Sequence, residues 1–120
     1  MCVLDSNGGI KMEILYLFGF SERTGNHLER LLPLLRVQIK KGTDVGLIFI
    51  HDGVIGLDTN GSIPSQVEEL LNTKITLKAM IPDMKARGIP VERLHDKVKP
   101  IEYDELVELL DSSQKIISWL

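Results

Sequence analysis

The chain has 120 residues, of which 43% are hydrophobic and 26% are charged, and its formal net charge is −3. This length suits one domain that buries its own core, and the composition is typical of globular domains. The negative charge argues against direct nucleic-acid binding, which requires a basic surface. No apolar run is long enough to span a bilayer and no secretory signal is evident, so we expect a cytoplasmic protein with no membrane partner.

The first eleven residues are rich in turn-forming residues and contain the only cysteine, Cys2. A lone cysteine excludes an intrachain disulfide and a cysteine-rich zinc site. Chain ends of this composition are commonly mobile. We therefore expect a mobile leader over residues 1–11 and a single domain over residues 12–120. Nothing near Cys2 in the sequence would lower the pKa of its thiol, so we expect it to be dispensable.

Strand and helix patterns alternate along the domain. Apolar or β-branched runs predict strands over residues 12–20, 44–50, 74–81, 96–103 and 115–120. Apolar residues at helical spacing predict helices between them, beginning after Ser21 or Thr24, after Ser62 or Ser65, and at Tyr103. Pro33 is expected to kink the first helix or delay its start. The pattern predicts an α/β protein, a three-layer sandwich around a mostly parallel sheet of about five strands.

The segment "IPDMKARGIP" predicts a short helix with well-defined ends. Pro82 suits the first helical position, and Asp83 beside it favours the positive helix start. Arg87 is four residues after Asp83, so the two side chains can pair across one turn. Gly88 can adopt the left-handed conformation that ends a helix. The segment is either a connector or part of a working surface.

In open parallel sheets, ligands and partners gather at the carboxyl ends of the strands, where "GFSERTG", "HDGVIGL" and "PDMKARG" fall. A His51–Asp52 pair suits acid–base chemistry or half of a metal site, yet no nucleophile or third ligand follows nearby. An Asp-Gly turn at Gly53 with a hydrogen-bonded histidine is the favoured interpretation. Val54, Ile55 and Leu57 form an unusually apolar loop, which we expect to contact a partner. We expect neither a cofactor nor a metal.

Four features in order carry a resemblance to a known family. They are a strand followed by "HDGV", a strand followed by "PDMKARG", the stretch "IEYDELVELL" and the terminal "ISWL". Together they resemble the DsrH/TusB family, which belongs to the wider DsrE-like group of sulfur-relay proteins. The resemblance runs from about Met12 to Leu120, leaving only the leader outside it.

The resemblance implies a flavodoxin-like α/β fold and assembly with DsrE/TusD-like and DsrF/TusC-like subunits. Such complexes pass persulfide sulfur from a TusA-like carrier towards tRNA 2-thiouridine or into sulfur oxidation, and the sequence leaves both branches open. The main acceptor cysteine of the relay belongs to the DsrE/TusD-type subunit. Some DsrH members have a cysteine in the first helix, where this chain aligns Leu31, so it lacks the family's usual thiol.

Two functions follow as hypotheses. The first is a non-catalytic subunit of a cytoplasmic sulfur-relay complex. The alternative is a self-associating protein that binds a small ligand or metal near His51 and Asp52. For either, the partner-binding or pocket residues are His51, Asp52, Gly53, Val54, Ile55, Pro82, Asp83, Lys85, Arg87 and Trp119. We expect a homo- or hetero-oligomer.

Overall fold

A five-stranded sheet, parallel throughout, is the central layer of the molecule. The computed structural model describes residues 3–4, 10–11, 13–21 and 27–119. The strands are β1 (Ile14–Phe18), β2 (Val45–Phe49), β3 (Thr76–Met80), β4 (Val98–Ile101) and β5 (Lys115–Trp119). The prediction of an α/β fold with a sheet of five strands is confirmed. Cys2 lies outside the described residues. Val3–Leu4 pairs antiparallel with Ile10–Lys11.

Helical segments connect the strands. The α-helices are α1 (His27–Lys40), α2 (Ser65–Leu71), α3 (Ile81–Ala86) and α4 (Tyr103–Ser112). Two 3₁₀ helices span His51–Leu57 and Val91–Arg93. Pro33 lies inside α1, so it does not delay the start of that helix. Pro82 lies in the first turn of α3, and Gly88 follows the end of that helix with φ of 70°. Both positions agree with the helix start and end predicted for this segment.

The strands lie in the order β4-β3-β2-β1-β5. The chain therefore advances in one direction from β1 to β4 and then returns to the far side of β1. This order differs from the 2-1-3-4-5 order of flavodoxin, although the layers and the parallel sheet are shared. Right-handed crossovers that run in opposite directions place their helices on opposite faces of the sheet.

The two faces are accordingly covered by different elements. On one face, the buried side chains of β1 to β4 pack against α1, α2, α3 and the longer 3₁₀ helix in one large apolar cluster. On the other face, a smaller cluster of Leu15, Ile48, Ile50, Met80 and Ile101 packs against α4. Strand residues alternate between these clusters because successive side chains of a strand point to opposite faces.

Candidate functional site

The 3₁₀ helix His51–Leu57 follows β2 at the carboxyl edge of the sheet. A 3₁₀ helix has three residues per turn, so side chains three apart share one side of it. Val54 and Leu57 are three apart and are fully buried in the larger apolar cluster. The expectation that they contact a partner is therefore wrong, because their apolar character serves the core. Ile55 is only partly buried and still borders the surface.

The other side of this helix has a stripe at the same spacing, formed by Asp52, Ile55 and Asp58. Its two carboxylates pair with Arg87 and Arg93. These arginines come from the segment after β3, so they join two neighbouring loops of the carboxyl edge. The sequence signal for this arrangement is the spacing Asp-x-x-Ile-x-x-Asp. Side chains at that spacing line up on one side only if the segment forms a 3₁₀ helix.

Arg87 connects α3 to the turn after β2. Its Nε donates to Oδ1 of Asp52 at 2.9 Å, and its Nη1 donates to the carbonyl oxygen of Asp83 at 3.0 Å. Nη1 also lies 3.7 Å from Oδ1 of Asp83, which confirms the predicted pairing across one turn of α3. The Arg87 side chain is 26% exposed and that of Asp52 is 61% exposed, so this pair lies at the surface.

Arg93 and Asp58 form a second pair that sequence reasoning missed. Arg93 Nε and Nη2 donate to the two carboxylate oxygens of Asp58 at 3.0 and 3.1 Å, in the bidentate geometry that suits arginine. Nη2 also donates to the carbonyl oxygen of Gly88 at 3.1 Å. The two residues are 35 positions apart, so no local spacing in the sequence indicated their contact.

Between the two ion pairs lies an open cleft of about 380 Å³. It is lined by Ile55, Asp58, Asn60, Gly61, Arg87 and Ile89. Neither His51 nor Asp52 belongs to this lining, and a pocket at that pair stays a prediction. Within the described part of the chain, no three His, Cys, Asp or Glu residues are grouped closely enough to hold a metal ion.

His51 begins the 3₁₀ helix in a left-handed conformation, with φ of 50°. Histidine is found there more often than most residues, but the conformation is uncommon for any residue with a side chain. The turn is held in place by Gly53, whose N–H donates to the carbonyl oxygen of Ile50 at 2.8 Å. A Cβ at Gly53 would overlap the carbonyl oxygen of Phe18, so this position requires glycine. The turn therefore presents an exposed His51 side chain from a fixed backbone.

The remaining predicted residues are spread along the same edge. Lys85 is exposed on α3, while Pro82 and Asp83 are partly buried in its first turn. Trp119 lies at the end of β5, opposite Phe18 of β1, and packs partly buried against the larger apolar cluster. Its carbonyl oxygen accepts the N–H of Gly19 at 2.9 Å. Because β1 separates β5 from β2, Trp119 lies apart from the Asp52–Arg87 pair.

A larger cavity, of about 510 Å³, lies at the opposite edge of the sheet, where strands begin. It is lined by Ile39, Gly42, Thr43, Asp44, Val45, Lys74, Ile75, Thr76, Lys78 and Leu109. Sequence reasoning did not find it, because it considered only the carboxyl ends of the strands. Lys78 is held there by Glu105 of α4, with Nζ 3.0 Å from the Oε2 atom. The hydrogen bond from Lys78 lowers the pKa of Glu105.

Over the described ranges, none of the helices combines the length and the apolar composition that crossing a bilayer requires.

Comparison with known protein sequences gives consistent matches. The sequence profile of a family described as "DsrH like protein" matches residues 25–116. The protein named Protein TusB from Serratia proteamaculans (strain 568) is 35% identical over 88 residues, covering 73% of this chain and 86% of that protein. Protein TusB from Pectobacterium carotovorum subsp. carotovorum (strain PC1) is 32% identical over 81 residues, covering 66% of this chain and 81% of its own.

Solved structures show the same architecture at lower sequence identity. The crystal structure of the ychN protein from E. coli has a TM-score of 0.75 and 19% identity, covering 90% of this chain and 99% of its own. The protein of unknown function MTH1491 from Methanobacterium thermoautotrophicum has a TM-score of 0.67 and 12% identity, covering 88% of this chain and 99% of its own. Likeness at this identity bears on the fold alone, and it confirms the α/β fold expected from the resemblance.

Proposed function

The chain belongs to the DsrH family of sulfur-relay-related proteins, and from that membership we propose that it is a non-catalytic subunit of a cytoplasmic sulfur-relay complex. The complex would pass persulfide sulfur between carrier proteins, towards tRNA 2-thiouridine or into sulfur oxidation. Its other subunits would be DsrE/TusD-like and DsrF/TusC-like, and a TusA-like carrier would supply the sulfur. The role of this chain would be to complete the assembly.

The observation that carries this proposal is the lack of a thiol at the site. A relay subunit that accepts sulfur needs a thiolate that its surroundings position and activate. The only cysteine in the sequence is Cys2, far from the carboxyl edge along the chain. Leu31 stands where some family members have a cysteine, and its side chain is fully buried in the larger apolar cluster. A chain of this kind contributes surface to a partner's site and not a sulfur acceptor.

The carboxyl edge supplies a surface suited to that role. Ile55 lies between the Asp52–Arg87 and Asp58–Arg93 pairs, so a partly buried apolar side chain is bordered by charged groups. An apolar centre with a polar rim is the usual anatomy of a protein interface. The ion pairs also hold the loops after β2 and β3 together, which lowers the entropy lost when a partner binds. We expect Ile55, Lys85 and the exposed part of Arg87 to contact a neighbouring subunit.

Coexpression with DsrE-like and DsrF-like chains, followed by light scattering of the purified material, tests this proposal. Ile55→Asp should weaken the assembly while leaving the far-ultraviolet circular dichroism unchanged. Lys85→Glu should weaken it too, whereas Lys74→Glu should not. Lys85 and Lys74 are a matched pair, because both are exposed and they lie at opposite ends of β3.

The outcome also decides between the two hypotheses. A wild-type chain that stays monomeric alone and with both partners, at tens of micromolar, would contradict the relay-subunit proposal. Small-molecule or metal binding at the cleft beside Ile55 would then be the better account. Native mass spectrometry of the chain purified from its own cells would detect such a bound ligand directly.

A further inference from the structure

The helix α4 has an apolar flank that no described residue covers. Leu106, Leu109 and Leu110 pack partly buried against the sheet. Tyr103 and Val107, one turn apart, are 59% and 62% exposed, the highest values among the large hydrophobic residues that the structure describes. With about 100° between successive residues, Tyr103 and Val107 continue the apolar arc past the part that the sheet covers. The helix therefore presents an apolar strip to solvent.

Carboxylates run beside this strip. Asp104, Glu108 and Asp111 are exposed, and none forms an ion pair with any residue that the structure describes. The last turn of α4 has no basic residue, so Asp111 faces the negative end of the helix dipole unopposed. We call Tyr103, Asp104, Val107, Glu108 and Asp111 the acidic flank. A cationic neighbour would relieve its unfavourable charges.

A complementary surface lies on α1, in the opposite layer of the sandwich. Arg30, Leu34 and Val37 of α1 are spaced by four and three residues, and Lys41, directly after the helix, follows four residues later. The N–H of Lys41 still donates to the carbonyl oxygen of Val37 at 3.1 Å, so all four residues align on one side. Leu34 is 43% exposed and Val37 is 51% exposed. Among the residues described, Arg30 and Lys41 have no ion-pair partner. We call these four residues the basic stripe: two exposed apolar side chains between two cations.

We propose that the chain associates with a second copy of itself head to tail, the acidic flank of one copy packing on the basic stripe of the next. Within one molecule the two surfaces cannot meet, because α1 and α4 cover opposite faces of the sheet. Pairing two acidic flanks, or two basic stripes, would place like charges together. Opposite charges around apolar centres favour the heterologous contact, which closes into a ring or grows into a stack.

This inference concerns surfaces on the two helical layers and goes beyond the proposed function, which concerns the carboxyl edge. An experiment can therefore contradict head-to-tail association without contradicting the relay-subunit proposal, and the reverse. The relay proposal is tested with partner chains, whereas head-to-tail association is tested with this chain alone. A DsrE-like or DsrF-like partner that occupies either helix surface instead would leave the purified chain monomeric and would overturn the inference.

Sedimentation velocity of the full-length chain, up to a few hundred micromolar, is the test. We expect concentration-dependent association that weakens with added salt, since exposed charges are screened within about 10 Å at 0.1 M ionic strength. Glu108→Lys with Asp111→Lys, and separately Arg30→Glu with Lys41→Glu, should each weaken association about tenfold. Glu68→Lys with Glu92→Lys, which reverses two exposed carboxylates elsewhere, is the matched control and should change nothing.

Mixing the two reversed variants gives the sharpest result. In each variant alone, the reversed surface has the same charge as the unchanged surface that it would pack on, so copies repel. In an equimolar mixture, the reversed acidic flank of one variant can pack on the reversed basic stripe of the other. The two unchanged surfaces can pack on each other in the same way. Head-to-tail association predicts that the mixture recovers association, with a larger weight-average sedimentation coefficient than either variant alone at the same total concentration. Failure of the mixture to recover, association that the reversals leave unchanged, or a wild type that stays monomeric would each overturn the proposal. Circular dichroism of every variant confirms that the fold is retained.

Discussion

Among the described residues, one face of the sheet forms a cluster of twenty-one buried residues with three α-helices and the longer 3₁₀ helix, whereas the other face has a cluster of five buried residues beneath α4. The first face includes Tyr16, Phe18 and Phe49, whose rings are almost completely buried. On the second face, every apolar residue of α4 stays at least partly exposed. The difference indicates that the first face supplies most of the stability. The second face is left with surface that can bind another chain.

The largest difference between the two faces should appear in the free energy of unfolding when one apolar side chain on each face is truncated. Phe49 is 1% exposed and makes an edge-to-face contact with Phe18, with ring centroids 6.1 Å apart. Phe49→Ala should lower the free energy of unfolding by about 3–5 kcal/mol. Leu109→Ala on α4 should lower it by about 1 kcal/mol, because Leu109 is already partly in solvent.

Urea unfolding of both variants measures this contrast. Equal losses in the two variants would contradict the view that the faces differ in their contribution to stability.

Tyr16 tests the larger face through a polar group buried in it. Its side chain is fully buried, and its hydroxyl donates to Oε1 of Gln38 at 2.9 Å. Burial raises the pKa of Tyr16 above its ordinary value of 10.0. Tyr16→Phe should cost about 1 kcal/mol at neutral pH through the lost hydrogen bond.

The pH dependence of this variant has a definite sign. A pKa that is higher in the folded state gives stability that is complete below pH 10 and is lost as the pH rises through the folded value. Wild-type stability should therefore fall in alkali more steeply than that of Tyr16→Phe. Parallel stability curves for the two proteins above pH 10 would show that Tyr16 ionises as readily when folded as when unfolded.

The contrast between the faces was only partly predictable from sequence. The apolar composition of Val45 to Phe49 predicts a strand that is buried on both faces, and a strand of that kind indicates a parallel sheet. The position of β5 beside β1 could not be predicted, because no local sequence pattern indicates which edge of the sheet the last strand joins. That choice places α4 on the second face, where no other described helix packs. Sequence reasoning therefore missed the thin layer and the cavity under Leu109.

The candidate site shows the same limit. The pairing of Asp83 with Arg87 lies within one helical turn and was predicted correctly. Val54 was wrongly assigned to a contact surface because the apolar loop is a 3₁₀ helix. With three residues per turn, that helix directs the Val54 side chain into the core. The pairing of Arg87 with Asp52 spans 35 residues and exists only after β2 and β3 lie side by side. Local spacing predicts local contacts, and the rest depends on the topology.

Glu105 tests the thinner face, where an ion pair takes part in holding α4. Its carboxylate lies 3.0 Å from Lys78 Nζ and 3.6 Å from Lys99 Nζ, and its side chain is 35% exposed. At that exposure the interaction is screened, so Glu105→Gln should cost about 0.5 kcal/mol at neutral pH. This is the smallest of the expected effects on stability.

Acid titration gives a direct check on Glu105. The hydrogen bond from Lys78 holds the pKa of Glu105 below its ordinary value of 4.5 in the folded state. Its contribution is therefore complete above that value and is lost as the pH falls through the lower, folded value. Wild-type stability should decline more steeply on acidification than that of Glu105→Gln. Identical acid profiles would mean that the contacts with Lys78 and Lys99 do not persist in solution.

Sulfur transfer in a reconstituted complex tests the central claim most directly, that this chain takes part in the relay without a thiol of its own. The chain, wild type or Cys2→Ser, is combined with DsrE-like and DsrF-like subunits and a persulfide-loaded TusA-like carrier. Intact-protein mass spectrometry then follows the mass increment of one sulfur atom on every subunit. We predict equal transfer rates with both forms of the chain and no sulfur-bearing intermediate on it. A persulfide on Cys2, together with loss of transfer in Cys2→Ser, would contradict the account.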